Sequence, residues 1–427
     1  MEKFDVIVVG AGPAGSSAAC RLCEDDLQVL LIERGSSPGS KNMFGGRIYP
    51  YSLDQLLGEE WKEAPIERFV TKENITFLTE DSSFTIQFEA PKAEDPTQLS
   101  FTANRARFDL WLASKAEDRG AELISGIKVE DLVFEDGGVV GVVAGGDEVR
   151  ADLVIAADGA MSLLSAKAGL RAEMRPEDVE VGIKEVIELP RETIEERFNL
   201  AAEEGAASVL LGAPTEGLRG GAFLYTNLEN LSLGIVIQAE DVVRKVEFHK
   251  IVEKFKGHPK ISKLIEGGKV VEYSSHLIAE AGLGMLRRRY TNGLLVAGDA
   301  AGFLLNNGYT FRGVDMAIAS GLAAADTFKE AKRRGDFSRS SLAYYDRLLE
   351  ESSLLADLET FGGVKRYLKN PRLYSLYPRL VCSILKRMYI VNGKARDRVL
   401  KIAWDEMRRE VSPIRAFGDL IGAVRNL

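Results

Sequence analysis

Three cysteines and three histidines in 427 residues leave little room for thiol or metal chemistry. Cys20, Cys23 and Cys382 are too few for a four-thiolate iron–sulfur cluster. Cys20 and Cys23 stand three apart on one predicted helix with no second pair, and they read as buried small side chains rather than a redox couple. His249, His258 and His276 fit no metal-ligand spacing and no triad. Each is expected in a structural or surface role, and no metal site is expected. No apolar run approaches the ~18 residues that span a bilayer. Met1 leads straight into a strand without a signal-peptide pattern, so a reducing cytosol is the expected setting. There is no internal repeat, no low-complexity linker and no nucleophile motif. A second dinucleotide fingerprint is missing too, since Gly282-Leu283-Gly284 lacks a third glycine. With a net charge of −9, no nucleic-acid partner is expected.

What is present begins at residue 5. DVIVVGAGPAGSSAACRLCEDDLQVLLIER reads as strand, glycine turn, helix, strand and acid. Gly10 permits the tight turn, Gly12 lets backbone approach a pyrophosphate, and Gly15 lets the helix pack on the strand. The helix N-terminus after Ala11, Pro13 and Ala14 offers N–H groups and a positive dipole end to phosphates. Glu33, followed by Arg34, lies about 20 residues on, where a carboxylate meets ribose hydroxyls and repels a 2′-phosphate. The glycines alone are a weak signal, but here strand, helix and acid accompany them.

The second motif, Ala297-Gly298-Asp299-Ala300-Ala301-Gly302, is predicted to end a strand and open a helix. Asp299 can accept hydrogen bonds from a ribitol chain, and the helix N-terminus stabilises negative charge beyond it. Paired with the first motif this points to FAD, because nicotinamide cofactors carry no ribitol. Asp158-Gly159 follows an apolar run and marks another strand end near the nucleotide. Arg105, opening an amphipathic helix that runs to Gly120, is a candidate cation for the phosphates. No catalytic side chain is identified; the chemistry is expected to be the flavin's.

The nucleotide-binding pieces are scattered along the chain, so a second domain must be inserted between them. The expected fold is α/β: an interleaved Rossmann-like FAD-binding domain over residues 1–73, 103–170 and 277–335, an antiparallel β-rich substrate domain over 74–102 and 171–276, and a helical region over 336–427. Residues 74–102 suggest a hairpin, 242–266 a helix, and 312–330 a long small-residue helix. Charge is uneven: from Lys365 onward 15 Lys and Arg face 5 Asp and Glu, leaving the first 364 residues at −19. A basic tail on an acidic body suits anionic lipid or an acidic partner.

At this point the chain resembles the glutathione-reductase-2 type flavoproteins, which include aromatic hydroxylases and geranylgeranyl reductases. Lys41-Asn42-Met43-Phe44-Gly45-Gly46-Arg47-Ile48-Tyr49, and Gly298 to Phe303 with Asn306 to Ala317, are similar to the flavin motifs of the FixC/EtfC-type electron-transfer-flavoprotein:quinone oxidoreductase subunits. The resemblance covers most of the chain. It implies that Gly10 to Gly15, Glu33, Arg105 and Asp299 hold FAD, that Gly45, Gly46, Gly313 and Val314 lie against the isoalloxazine, that Lys41 of the flavin-flanking loop is cofactor-binding, and that Val129 joins the adenine pocket. It also implies electron flow from a two-subunit electron-transfer flavoprotein to a membrane quinone. By side-chain type, Asn306, Asn307 or Tyr309 is expected to bond a quinone carbonyl. Because the chain lacks cysteines for the cluster of the mitochondrial relative, a separate ferredoxin-like iron–sulfur subunit is implied. Tyr374, Leu376, Tyr377, Leu380 and Tyr389 among basic residues suit a lipid interface at the inner face of the cell membrane. Competing expectations are an isoprenoid-lipid reductase with a deep apolar tunnel, an NADPH-dependent monooxygenase, and a flavin relay subunit inactive on its own.

Overall fold

The computed structural model describes residues 3–41, 46–90, 95–171, 174–242, 247–279, 284–286, 288–393 and 395–426. Its strands are, in chain order, β1 Lys3–Val9, β2 Val29–Glu33, β3 Arg47–Ile48, β4 Arg68–Leu78, β5 Ser83–Glu89, β6 Phe101–Thr102, β7 Glu122–Ser125, β8 Val129–Glu135 and β9 Gly138–Ala144. They continue as β10 Asp147–Ala156, β11 Val179–Glu188, β12 Glu204–Gly212, β13 Gly220–Thr226, β14 Asn230–Gln238, β15 Lys269–Ala279, β16 Tyr290–Thr291 and β17 Leu294–Val296.

The first sheet has the order β16-β17-β10-β1-β2-β7, with β8 and β9 attached beside β10. Strands β17, β10, β1, β2 and β7 are mutually parallel. Helices cover both faces of such a sheet, so its strands are continuous apolar runs; Val6, Ile7 and Val8 are wholly buried. Pro13 starts the Pro13–Leu22 helix, where a missing N–H costs nothing. The small residues of this helix are buried against the Val314–Arg334 helix. The approach is closest at Gly321, where an added Cβ would sit 2.3 Å from the Ala14 carbonyl oxygen.

The second sheet runs β15-β11-β14-β13-β12-β4-β6-β3, with β5 paired to β4. It is antiparallel except where β12 lies parallel to β4. One face carries Ile183, Ile187, Leu224, Leu233 and Ile235 into a second core, closed by Ile251, Val252 and Phe255. Its other face looks toward the first domain. Two expected boundaries, 73/74 and 276/277, cut continuous strands: β4 begins at Arg68 and β15 ends at Ala279. The expected 242–266 helix is divided between Phe248–Lys256 and Pro259–Ile265. Pro259 forces the break, and His258 caps the second piece through Nδ1, which accepts from the Lys260 N–H at 3.1 Å.

From residue 339 onward the chain is helical, ending in Leu376–Tyr389, Val399–Glu410 and Pro413–Asn426. Among the described residues no helix is long and apolar enough to cross a membrane.

Candidate functional site

Strand register assembles the site. Val9 of β1 stands beside Ala156 of β10, and Ala156 beside Val296 of β17. The turns that follow each strand, Gly10–Gly12, Ala157–Gly159 and Ala297–Asp299, therefore emerge side by side at the carboxyl edge of the parallel sheet. Ligands of open α/β sheets bind there. Hydrogen bonds from Ala157 N to Val9 O and from Ala297 N to Ala156 O, each 2.9 Å, continue the ladder into the turns.

Each glycine of the first turn meets a different constraint. Gly10 has φ +101°, and a Cβ there would lie 2.4 Å from Ala157 O. A Cβ on Gly15 would lie 1.9 Å from Gly10 O. Both are required by the protein itself. Gly12 has an ordinary φ of −80° and nothing within 4 Å of an added Cβ. Only a ligand would object to a methyl group there, and the open cradle at a helix N-terminus fits a pyrophosphate. Gly12→Ala is accordingly expected to fold with a stability change within ~0.5 kcal/mol but to purify with little flavin, checked by melting temperature and flavin-to-protein ratio. Glu33 holds the neighbouring loop: Oε2 accepts from Ala11 N at 3.0 Å and Oε1 from Gly35 N at 2.5 Å. Its carboxylate is thereby fixed beside the turn with lone pairs to spare.

The turn at Asp299 differs from the helix expected there. Gly298–Ala301 is one short 3-10 turn ended by Gly302, and the Leu305–Asn306 and Phe311–Arg312 strands pair as a hairpin before the long helix starts at Val314. The dipole end facing the site is thus that of the Val314–Arg334 helix. Ser320 of this helix accepts from Gly298 N at 2.8 Å and seats the turn. Burial pushes the Asp299 carboxyl above the usual carboxylate range, and the Arg105 guanidinium pulls it back. Arg105 is itself buried and gripped by Asp109, with Nε to Oδ1 at 2.8 Å and Nη2 to Oδ2 at 2.9 Å.

A cavity of about 760 Å³ begins at this edge. Gly12, Pro13, Ala14, Arg105, Gly159, Asp299, Gly313 and Val314 line its first part. It then crosses the free face of the second sheet over Ile75, Phe77, Val209, Leu211, Phe223 and Val236. It ends against the C-terminal helices at Tyr367, Leu373, Tyr377, Ala416, Leu420 and Ala423. Glu180, Arg219, Gln238 and His276 on the sheet side and Lys365, Lys369 and Asp419 on the C-terminal side also line this wall, and further polar groups gather near the hairpin. There Arg47 is ion-paired with Glu73 and its Nε donates to Ser100 at 2.8 Å. Tyr225 lies close by, its hydroxyl pushed up to about 12 by burial. Arg312 braces the hairpin: it donates to Asp315 at 2.7 Å, to Asp357 at 2.7 Å and to the Tyr51 hydroxyl at 2.9 Å.

The remaining sequence candidates fall in several places. Asn306 and Tyr309 line the cavity. Asn307 does not; its buried Oδ1 accepts from Tyr309 N at 3.2 Å and Thr310 N at 2.8 Å and holds the hairpin turn. Asp158 caps a short helix, accepting from Ser162 at 2.7 Å and Leu164 N at 3.2 Å. Arg34 and Lys41 are exposed, Gly46 is buried, and Val129 packs half-buried against the first core. Gly45 lies outside the described residues, as do Asn42, Met43, Phe44, Gly282 and Leu283. His276 lines the cavity, and burial lowers its pKa with Arg105 and Arg34 adding to the effect. Arg47, Glu73 and Tyr225 were missed. The strand around Tyr225 gave a β signal, whereas Arg47 was expected in a loop and Glu73 just outside the hairpin; β12 pairs with both β4 and β13 to set Glu73 beside Tyr225, and β6 joins the Arg47 strand to β4.

Family models match three stretches: an FAD binding domain over residues 3–217, an ETF-QO ubiquinone-binding region over 179–278, and an ETF-QO/FixC family C-terminal domain over 365–427. Fold and paired motifs together define an FAD-dependent oxidoreductase. The chain is 46% identical over 402 residues to a probable electron transfer flavoprotein-quinone oxidoreductase, YdiS, of Escherichia coli (strain K12), covering 94% of each. It is 45% identical over 403 residues to the protein FixC of the same strain, again covering 94% of each. It belongs to the ETF-QO/FixC family. At the level of fold it is similar to a geranylgeranyl bacteriochlorophyll reductase-like protein from Thermoplasma acidophilum, with TM-score 0.74, 22% identity, and coverage of 98% of this chain and 100% of that one.

Proposed function

We propose that this chain accepts electrons from a reduced electron-transfer flavoprotein and delivers them to a membrane quinone through its FAD. The observation that carries this reading is the continuous cavity. It joins the dinucleotide edge at Asp299 to the C-terminal helices, and its apolar stretch suits an isoprenoid chain.

In this reading Gly10 to Gly15 and Glu33 hold the nucleotide end of FAD, Arg105 answers its phosphates, and Asp299 accepts from its ribitol. Asp158 and Gly159 border the nucleotide, with Arg34 and Val129 on the adenine side. Gly45, Gly46, Lys41, Gly302, Gly313 and Val314 surround the ring. FAD, when bound, supplies the electron acceptance and release. The protein's own side chains bind, orient and exclude water. Ile75, Phe77, Val209 and Leu211 would take the quinone's apolar chain. Asn306 and Tyr309, with the Arg47–Glu73 pair and Tyr225, would meet its polar head, and Asn307 would shape the turn that presents them.

The donor flavoprotein of two subunits, a ferredoxin-like iron–sulfur subunit, and placement at the inner face of the cell membrane belong to the same proposal. Of the residues expected at a lipid interface, Tyr374 and Leu380 are instead buried in the fold and Tyr389 is exposed; the exposed apolar face is on the last helix, Ile414, Phe417, Ile421 and Val424 beside Arg415 and Arg425, and it suits anionic lipid. Anaerobic reduction tests the core of it. Bleaching of the flavin spectrum by reduced electron-transfer flavoprotein, but not by NAD(P)H, supports the reading; rapid direct bleaching by NADPH overturns it. The length of the apolar cavity also favours a second reading, an isoprenoid-lipid reductase. That reading requires loss of an alkene bond in the lipid product, without any flavoprotein donor.

A further inference from the structure

One buried charged side chain of the second sheet, Lys184, lies behind the cavity wall against Gly46. Strand β11 alternates: Ile183 and Ile187 enter the second core, while Glu180 lines the cavity. By that period of two, Lys184 points with Glu180 to the cavity face. Its cross-strand neighbours are Gly234 on β14 and Ser274 on β15, both small. Lys184 is only 2% exposed. A Cβ built on Gly46 would lie 3.5 Å from Lys184 Nζ and 3.0 Å from Ala103 O, so the ammonium lies directly against bare backbone at Gly46. It feels the Arg105 guanidinium and the Glu272 carboxylate, and Arg105 in turn acts on Asp299 and His276. The lysine therefore belongs to the charged cluster that frames the cofactor edge, although it lies far from that edge in sequence and on a different sheet.

We infer that Lys184 is a charge-positioning residue for the bound flavin: its ammonium, held against Gly46, stabilises the negative charge that arrives with electrons and so raises the flavin's midpoint potential. This rests on the reading that places the flavin ring between Gly46 and Asp299. A dry, preorganised cation acts strongly on charge that develops nearby, because little water reorganises to screen it. Burial, then Arg105, draws the Lys184 ammonium down to about 8, with Glu272 opposing. Negative charge placed beside it restores the protonated form, and the coupling is reciprocal.

The test compares Lys184→Met, Lys184→Gln and Lys184→Arg in the full chain by anaerobic spectroelectrochemistry, with flavin content and melting temperature measured alongside. Both neutral variants are expected to retain FAD and to lose tenfold or more in the equilibrium constant for reduction, a fall of about 30 mV or more for a two-electron couple. Lys184→Arg is expected to keep most of the wild-type potential. FAD-loaded neutral variants with wild-type potential overturn the inference. So does failure of both neutral variants to fold, which would assign the lysine to holding the Gly46 segment. Wild-type protein that binds no FAD would instead overturn the placement of the flavin on which the inference stands.

Discussion

Arg105→Ala is expected to purify without flavin and to be less stable by about 3–5 kcal/mol, because it strands a buried carboxylate. Arg105 is 6% exposed, and Asp109, its bidentate partner, is 2% exposed. Removing the cation leaves Asp109 with neither water nor a counter-charge. Burial already pushes its carboxyl above the usual range, and Arg105 is the group that opposes this. The variant should respond by taking up a proton at Asp109, so its stability loss should shrink as pH falls. The sign follows from linkage: a carboxyl whose folded pKa is raised is penalised only above its unfolded pKa, and the penalty grows as pH rises. A double variant, Arg105→Met with Asp109→Leu, separates the two roles. Replacing a buried pair by apolar groups of similar size is commonly neutral. The double variant should therefore recover stability in urea titration while still lacking FAD. Full flavin occupancy in Arg105→Ala would show that the guanidinium does not serve the cofactor.

Replacing Ile414, Phe417, Ile421 and Val424 together by serine is expected to abolish retention on anionic vesicles while leaving reduction of a short water-soluble quinone intact. The four residues lie at i, i+3, i+7 and i+10 of the Pro413–Asn426 helix, on one face. They are 85%, 63%, 51% and 81% exposed, an arrangement unusual for a surface that stays in water. At ~1 kcal/mol each the loss is about 4 kcal/mol, roughly a thousandfold in partitioning. Cosedimentation with vesicles measures it. The apolar part persists at high salt, whereas the contribution of Arg415, Arg425 and their neighbours is screened. Activity with a long-chain quinone embedded in vesicles should fall in parallel, since Leu420 of the same helix lines the cavity and is also 59% exposed. Vesicle retention at wild-type level would remove this helix from the membrane reading.

Local motifs made the cofactor edge legible. Asp5 to Glu33 is one strand–turn–helix–strand unit, and its period and glycine spacing lie within 30 residues. The Asp299 turn was legible as a site, yet its helix was misplaced: Gly302 ends a single 3-10 turn, and the chain forms a hairpin before Val314. The split at Pro259 was written in the sequence and passed over. What could not be read were contacts made by register over long separations. Glu73 reaches Tyr225 only because Ala207 pairs with both, and Lys184 of β11 comes against Gly46, next to β3, although the two strands stand six places apart in the same sheet. Asn307 shows the opposite limit. Its type suggested a ligand for a carbonyl, but local backbone N–H groups take the same oxygen.

The contact between Ala14 and Gly321 has a consequence for how the protein is made. The helix beside the glycine turn emerges early from the ribosome, whereas the helix that fits against it follows about 300 residues later. At ~5–20 residues per second the first waits roughly 15–60 s for its partner. During that interval its small-residue face is uncovered, and the Asp299 turn that packs on Ala14 does not yet exist. The cofactor edge therefore cannot close on the nascent N-terminal unit alone, and flavin capture is expected only after the Val314–Arg334 helix has emerged.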